Sequence, residues 1–348
     1  MKDRNWFQAT IPQPDGHFRD AAMARQTSLT KPSGSLGRLE SIAVEMAAMQ
    51  GSDRPQAIPL GIAVFAADHG VAAEGVSAFP QEVTAQMVLN FLNGGAAISV
   101  LAEKTEARLC VVDAGTLHRD GYPEPVINRP VGHGTRNLVH ESAMTEKECR
   151  HALSLGRDVM DEWLSYARVV IGGEMGIANT TSASALASAL RVADVSELVG
   201  PGTGLGPDGI SRKQSVVEAA LARLGEQDDP LRILAELGGY EIAALSGFYL
   251  RAAMTGATIL VDGFISSVAA LVACRLNPDV RAWMLFSHAS AEPGHRRVLE
   301  ALDAEPLLDL GMRLGEGSGA AVAHGLLDSA CALHNRMATF AEAGVSDG

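Results

Sequence analysis

ARVVIGGEMGIANTTSASALASAL (residues 167–190) is the stretch whose reading decides the fold. An apolar run of strand length ends in two glycines. A short turn with Glu174, Met175 and Gly176 follows, then Asn179-Thr180-Thr181-Ser182 and an Ala-rich segment of helical composition. A strand apolar on both alternating faces is covered on both sides, as in a parallel sheet flanked by helices. Backbone N–H groups at such a turn and helix start can hold a phosphate. The alternative is a tight strand–helix turn in which Thr or Ser caps the helix. The pattern is neither GxGxxG nor GxxxxGK[ST], so the dinucleotide and P-loop motifs are excluded.

Four further runs resemble it: LGIAVFAADHG (60–70), ARLCVVDAG (107–115), ATILVDGF (257–264) and VRAWMLFSHAS (280–290). A weaker sixth is SELVGPGTG (196–204). Ala- and Leu-rich segments lie between them. This alternation predicts an α/β fold, an open and mostly parallel sheet flanked by helices. Most runs end in a polar residue beside a small one: Asp68-His69-Gly70, Asp113-Ala114, Glu174-Met175-Gly176, Asp262-Gly263 and Ser287-His288. Ligands of open α/β sheets bind beyond the carboxyl ends of the strands, so the chemistry gathers at one sheet edge.

The 348 residues suffice for one large or two modest domains. We expect a core over residues 55–300 and a smaller helical domain from residues 1–54 plus 301–348. Within the latter, LGRLESIAVEMAAMQG has helical periodicity ending at Gly51, and TKPSGSLG before it reads as a turn. The net charge of −13 argues against nucleic acid and against an anionic membrane surface. The most apolar segment, ILVDGFISSVAALVA (259–273), is too short to cross a bilayer and carries Asp262. Four scattered cysteines without a CxxC pair, and a polar N-terminus, fit a reducing cytoplasm.

Other stretches could carry chemistry. VGPGTGLGPDGISRKQ (199–214) is a glycine-rich loop, including Gly202, that enters a helix. Lys213 near that helix start either faces a bound anion or is a solvated surface cation. The Asp68-His69 pair falls short of the three convergent ligands a metal site needs, and buttressing the loop is the better reading. Phe79, Val83, Met87 and Phe91 recur every fourth residue, as a core stripe or, at its first turns, as the wall of an apolar slot. Ser287 and Ser290 end the fifth strand as phosphate donors or as a polar turn. Glu316 stands in LGEGSG, between two glycines, at the mouth of a helix. It either complements the helix dipole or is left accessible to a ligand.

The strings KPSGSLGRLE (31–40), ADHG (67–70), GEMGIANTT (173–181), VDGFISSVAAL (261–271), SHASAEPG (287–294) and MRLGEGSGAA (312–321), in that order, carry a family resemblance. The sequence resembles the nicotinate-nucleotide:dimethylbenzimidazole phosphoribosyltransferases from about residue 10 to 340. The resemblance implies transfer of the 5-phosphoribosyl group of nicotinate mononucleotide to 5,6-dimethylbenzimidazole, without metal or cofactor, by a homodimer. It makes Glu316 the catalytic residue, a general base on the azole N–H. Lys213, the 174–181 turn with Gly176, Asn179 and Thr180, the Gly202 loop and Ser290 would hold the ribose phosphate. Glu174 and Asp262 would lie among the substrate-binding residues. Met175, Leu314, Phe79 and Met87 would form the benzimidazole slot. Several family members carry polar residues at the last two positions. An N-ribosyl hydrolase using Glu174 and Glu316, or a nucleotide-binding sensor, are the competing readings.

Overall fold

The computed structural model describes residues 5–202 and 204–346. The ends of the expected helical domain, residues 1–4 and 347–348, lie outside the described residues. Six strands form one sheet: β1 (Leu60–Ala67), β2 (Arg108–Gly115), β3 (Ile127–Asn128), β4 (Val169–Met175), β5 (Thr258–Val261) and β6 (Met284–Phe286). All neighbours pair in parallel, in the order β3-β2-β1-β4-β5-β6. β1 is buried along its whole length, as its two-faced apolar pattern requires. Chain order reverses between β1 and β4, whose register sets Phe65 opposite Glu174 and Ala66 opposite Met175. At such a switch point the loops after the two strands part and leave a crevice.

Two expectations about strands are revised, and one strand had no counterpart in the sequence reading. SELVGPGTG is not a strand; Val195–Leu198 is one helical turn, and Gly202 and Gly204 beyond it have positive φ, which no ladder accommodates. The run at 280–290 pairs only over Met284–Phe286, because Pro278–Trp283 winds into a 3₁₀ turn capped by the Asn277 side chain. β3 is two residues long, too short to show any periodicity.

Helices Gly16–Ser28 and Arg38–Gln50 flank the KPSGSLG turn, and the second ends on left-handed Gly51 as predicted. They meet the C-terminal segment: Arg25 Nε donates to the His334 carbonyl at 2.7 Å, and Leu29 bridges Thr339. Helix Ser318–Arg336 lays Ala320, Ala323 and Leu327 into the same apolar core as the sheet. Glu82–Lys104 has the length and composition to cross a membrane, yet it folds as two helices, Glu82–Leu92 and Ala97–Lys104, around a Gly94-Gly95 turn.

Candidate active site

A cleft of about 270 Å³ opens beyond the carboxyl ends of β4, β5 and β6. Its walls include Glu174, Met175, Gly176, Asn179, Thr180, Gly202, Asp262, Ser290, Leu314, Phe79 and Glu316. Eleven residues named from sequence therefore converge on one cavity. Lys213 and Met87 are not on its wall.

Glu316 sits where three consecutive residues are left-handed: Gly315 (φ 88°), Glu316 (φ 66°) and Gly317 (φ 86°). Glycine adopts this conformation freely, whereas a glutamate there costs roughly 1–3 kcal/mol. The flanking glycines are thus accounted for by the backbone. A Cβ on Gly315 would collide with the Glu174 carboxylate, and one on Gly317 would crowd Ile171 and Gly173. Gly173 in turn has no room for a Cβ, because the Glu316 carbonyl lies over it. The Glu316 side chain is buried and its Oε2 has no hydrogen-bond partner. Burial pushes its pKa up to about 7; the Ile98 N–H, at the start of helix Ala97–Lys104, opposes this and the Asp262 charge adds to it.

Glu174 ends β4, buried, and accepts a hydrogen bond from Asn179 Nδ2. Burial and the neighbouring carboxylates of Glu241 and Asp262 hold it well above the usual carboxylate range. Asp262, after β5, is also buried, and backbone N–H groups of the turn after Glu316 engage both its oxygens. The Asp68-His69 turn does buttress: Asp68 Oδ2 accepts from Leu117 N–H, while His69 pairs with Glu241 at 2.7 Å, both fully buried.

The other end of the cleft carries positive charge. Lys213 is 0% exposed, in the second turn of helix Pro207–Leu224. A solvated surface cation is therefore ruled out, and so is an argument from the helix start, since the dipole fades after one turn. Its Nζ donates to Thr180 Oγ1 at 2.6 Å and lies 3.5 Å from the Gly200 carbonyl. Lys213 reaches the cleft through Thr180. Burial lowers its pKa to about 8 against the opposing charge of Glu292. A Cβ on Gly202, which has φ 54°, would stand 2.9 Å from Thr180 Oγ1 and 3.2 Å from Lys213 Nζ. The helix Asn179–Ala189 begins at left-handed Ala178 with no side-chain cap, so Thr180 is not a capping residue.

At the rim, Phe79 is 51% and Leu314 58% exposed. Phe79 precedes helix Glu82–Leu92, whose buried face is Thr84, Val88 and Phe91. Of the fourfold stripe, Phe91 lies on that core face, whereas Phe79 lies outside the helix at the rim. Met87 is half-buried against the core, with its sulphur 3.9 Å from Asn90 Nδ2.

Sequence reasoning gave no site role to four residues here. Glu292 and Arg313 line the cleft near Lys213, and Arg313 donates to the Gly202 carbonyl at 3.3 Å. His288 lines it beside Asp262. His295, buried, accepts from Ser290 N–H through Nδ1 and meets Ser267 through Nε2, which fixes the loop carrying Ser290. The SHASAEPGH string contained three of the four, but its serines drew the reading.

A buried carboxylate with a free oxygen in a cleft at the sheet edge, and a buried lysine that reaches that cleft through Thr180 among glycine turns, suit a transferase that handles a nucleotide. A phosphoribosyltransferase family model matches residues 11–345, and the chain belongs to that family. Its relatives are nicotinate-nucleotide–dimethylbenzimidazole phosphoribosyltransferases. That of Azotobacter vinelandii is 57% identical over 350 residues, covering 100% of this chain and 99% of the relative. That of Pseudomonas syringae is 56% identical over 345 residues, covering 99% and 98%. The solved structure of CobT from Thermus thermophilus is 44% identical, with a TM-score of 0.92 over 95% of this chain and 100% of that one.

Proposed function

We propose that the chain transfers the 5-phosphoribosyl group of nicotinate mononucleotide to 5,6-dimethylbenzimidazole, giving α-ribazole 5′-phosphate and nicotinate for the nucleotide loop of cobalamin. The observation that carries this reading is the Glu316 carboxylate: buried, with a free Oε2, and with a pKa near 7. General bases work best when their pKa lies near the operating pH, and contribute typically ~10²–10⁴ in rate.

The chemistry needs little else. Nicotinate in the mononucleotide is a pyridinium and leaves C1′ as a neutral ring nitrogen, so it requires no acid. One azole nitrogen attacks C1′ while the other loses its proton to Glu316. Attack opposite the leaving group inverts C1′. Lys213, Thr180, the Gly202 loop and Ser290 hold the phosphate, and Gly176 and Asn179 line the ribose path. Glu174, whose pKa burial and the neighbouring carboxylates raise, reaches a ribose hydroxyl or a base. Met175, Leu314 and Phe79 form the apolar slot, and Met87 supports it from behind. The catalytic core spans residues 55–300, and the helices of residues 1–54 and 301–348 form the closing unit. The family resemblance supports an enzyme that works in the cytoplasm as a homodimer.

Incubation with nicotinate mononucleotide and dimethylbenzimidazole in the presence of a chelator tests the proposal. Equimolar nicotinate and α-nucleotide are expected. Nicotinate release that does not depend on the azole would make the chain a hydrolase.

A further inference from the structure

A glutamate held in left-handed backbone needs something to hold it. The helix that follows, Ser318–Arg336, starts at Gly317, which has no side chain to cap it. Asp262 supplies the cap from another element. Its Oδ2 accepts the Gly317 N–H at 3.1 Å and its Oδ1 the Ala320 N–H at 2.8 Å. An acid at a helix N-terminus satisfies donors left over by the helix and complements its dipole. On the far side His288 Nε2 stands 3.5 Å from Asp262 Oδ1, and the His288 ring packs where any Cβ on Gly319 would overlap it.

We propose that Asp262 is the positioning residue of the catalytic base: it fixes the Gly315–Gly317 turn that aims Glu316 into the cleft and sets a charge, held against His288, beside that carboxylate. The proposal rests on the reading of Glu316 as general base. Facing Glu316 are Glu174 from β4, Asp262 from β5 and the Ile98 N–H from helix Ala97–Lys104; His288, from the segment after β6, lines the same cleft against Asp262. Burial opposes protonation of His288, but the Asp262 carboxylate outweighs it, so the histidine binds its proton more tightly than usual. With Asp262 charged, Glu316 is pushed upward; with a protonated His288 against Asp262, that push is partly offset.

Full-length Asp262→Asn and His288→Gln are assayed as pH profiles of kcat, with Glu316→Gln alongside and KM for nicotinate mononucleotide measured for each. Asp262→Asn should lower kcat at least about tenfold with KM changed less than about threefold, and move the acidic limb to lower pH by about half a unit or more. His288→Gln should move the limb the other way, to higher pH. A limb that stays in place overturns the proposal, and so does a kcat that is kept. Should Asp262→Asn fail to fold, the direction of the His288→Gln shift decides alone. If Glu316→Gln retains full turnover, the base reading itself is wrong. If Glu316→Gln is inactive while Asp262→Asn behaves as wild type, only the positioning role falls.

Discussion

Lys213 offers a prediction whose size follows from its burial. The side chain is fully enclosed, and enclosure takes its pKa from 10.5 to about 8. That shift corresponds to about 3 kcal/mol against carrying the charge in the empty enzyme. Because the folded value lies below the unfolded one, the unfolded chain binds more protons between about pH 8 and 10.5, and stability rises with pH across that window. A phosphate dianion placed beside Lys213 reverses the desolvation penalty and restores an ordinary lysine. At pH 9 the free enzyme then holds roughly a tenth of a proton on Lys213 and the complex holds nearly one, so binding takes up about 0.9 proton. At pH 7 the same event takes up about a tenth as much. At pH 9 the phosphate itself is a dianion, whereas at pH 7 about a tenth of it is monoanion, whose proton release on binding offsets the small uptake there. Titration calorimetry of nicotinate mononucleotide in two buffers of different ionisation enthalpy measures the uptake. Lys213→Met should abolish the difference at pH 9 and weaken binding by roughly 10- to 100-fold, the loss of a charge-assisted hydrogen bond. Equal proton uptake by wild type and Lys213→Met at pH 9 would refute the placement of the phosphate.

Three further outcomes follow from the site. Turnover at saturation should fall below about pH 7 with a slope of one, the limb of a base that must be ionised, as read from a kcat profile. Gly173→Ala drives a methyl group into the Glu316 carbonyl; thermal unfolding should show a loss of about 1–3 kcal/mol and kcat should drop at least about tenfold. Phe79 is half exposed, so Phe79→Ser should leave stability within about 0.5 kcal/mol while raising KM for the benzimidazole roughly fivefold and leaving KM for the mononucleotide unchanged.

Much of the fold was legible because β1, β2 and β4 are apolar on both faces for most of their length, the pattern expected of a sandwiched strand. The cleft was legible for a related reason: polar residues that interrupt such runs, as at Glu174 and Asp262, mark where strands end. The remainder depends on tertiary contacts that one-dimensional patterns do not encode. Lys213 could be read from sequence either as an anion's partner or as a solvated cation, and only the packing of the Gly200–Gly202 loop and Thr180 shows that it is enclosed. The glycines around Glu316 suggested room for a ring, whereas their positive φ and their contacts with β4 account for them. Phe79 and Met87 looked equivalent at fourfold spacing, but the helix begins only at Glu82, so one reaches the rim and the other the core. His295 gave no signal of its own, because a buried histidine that orients a loop leaves no spacing rule in the chain.

The most direct test is single-turnover formation of the α-nucleotide by Glu316→Gln at pH 8, with mononucleotide binding measured in parallel. Removing the base while preserving shape should slow the chemical step by ~10²–10⁴ and leave affinity for the mononucleotide within about threefold. Formation of the ribosyl–azole bond at the wild-type rate would contradict the account.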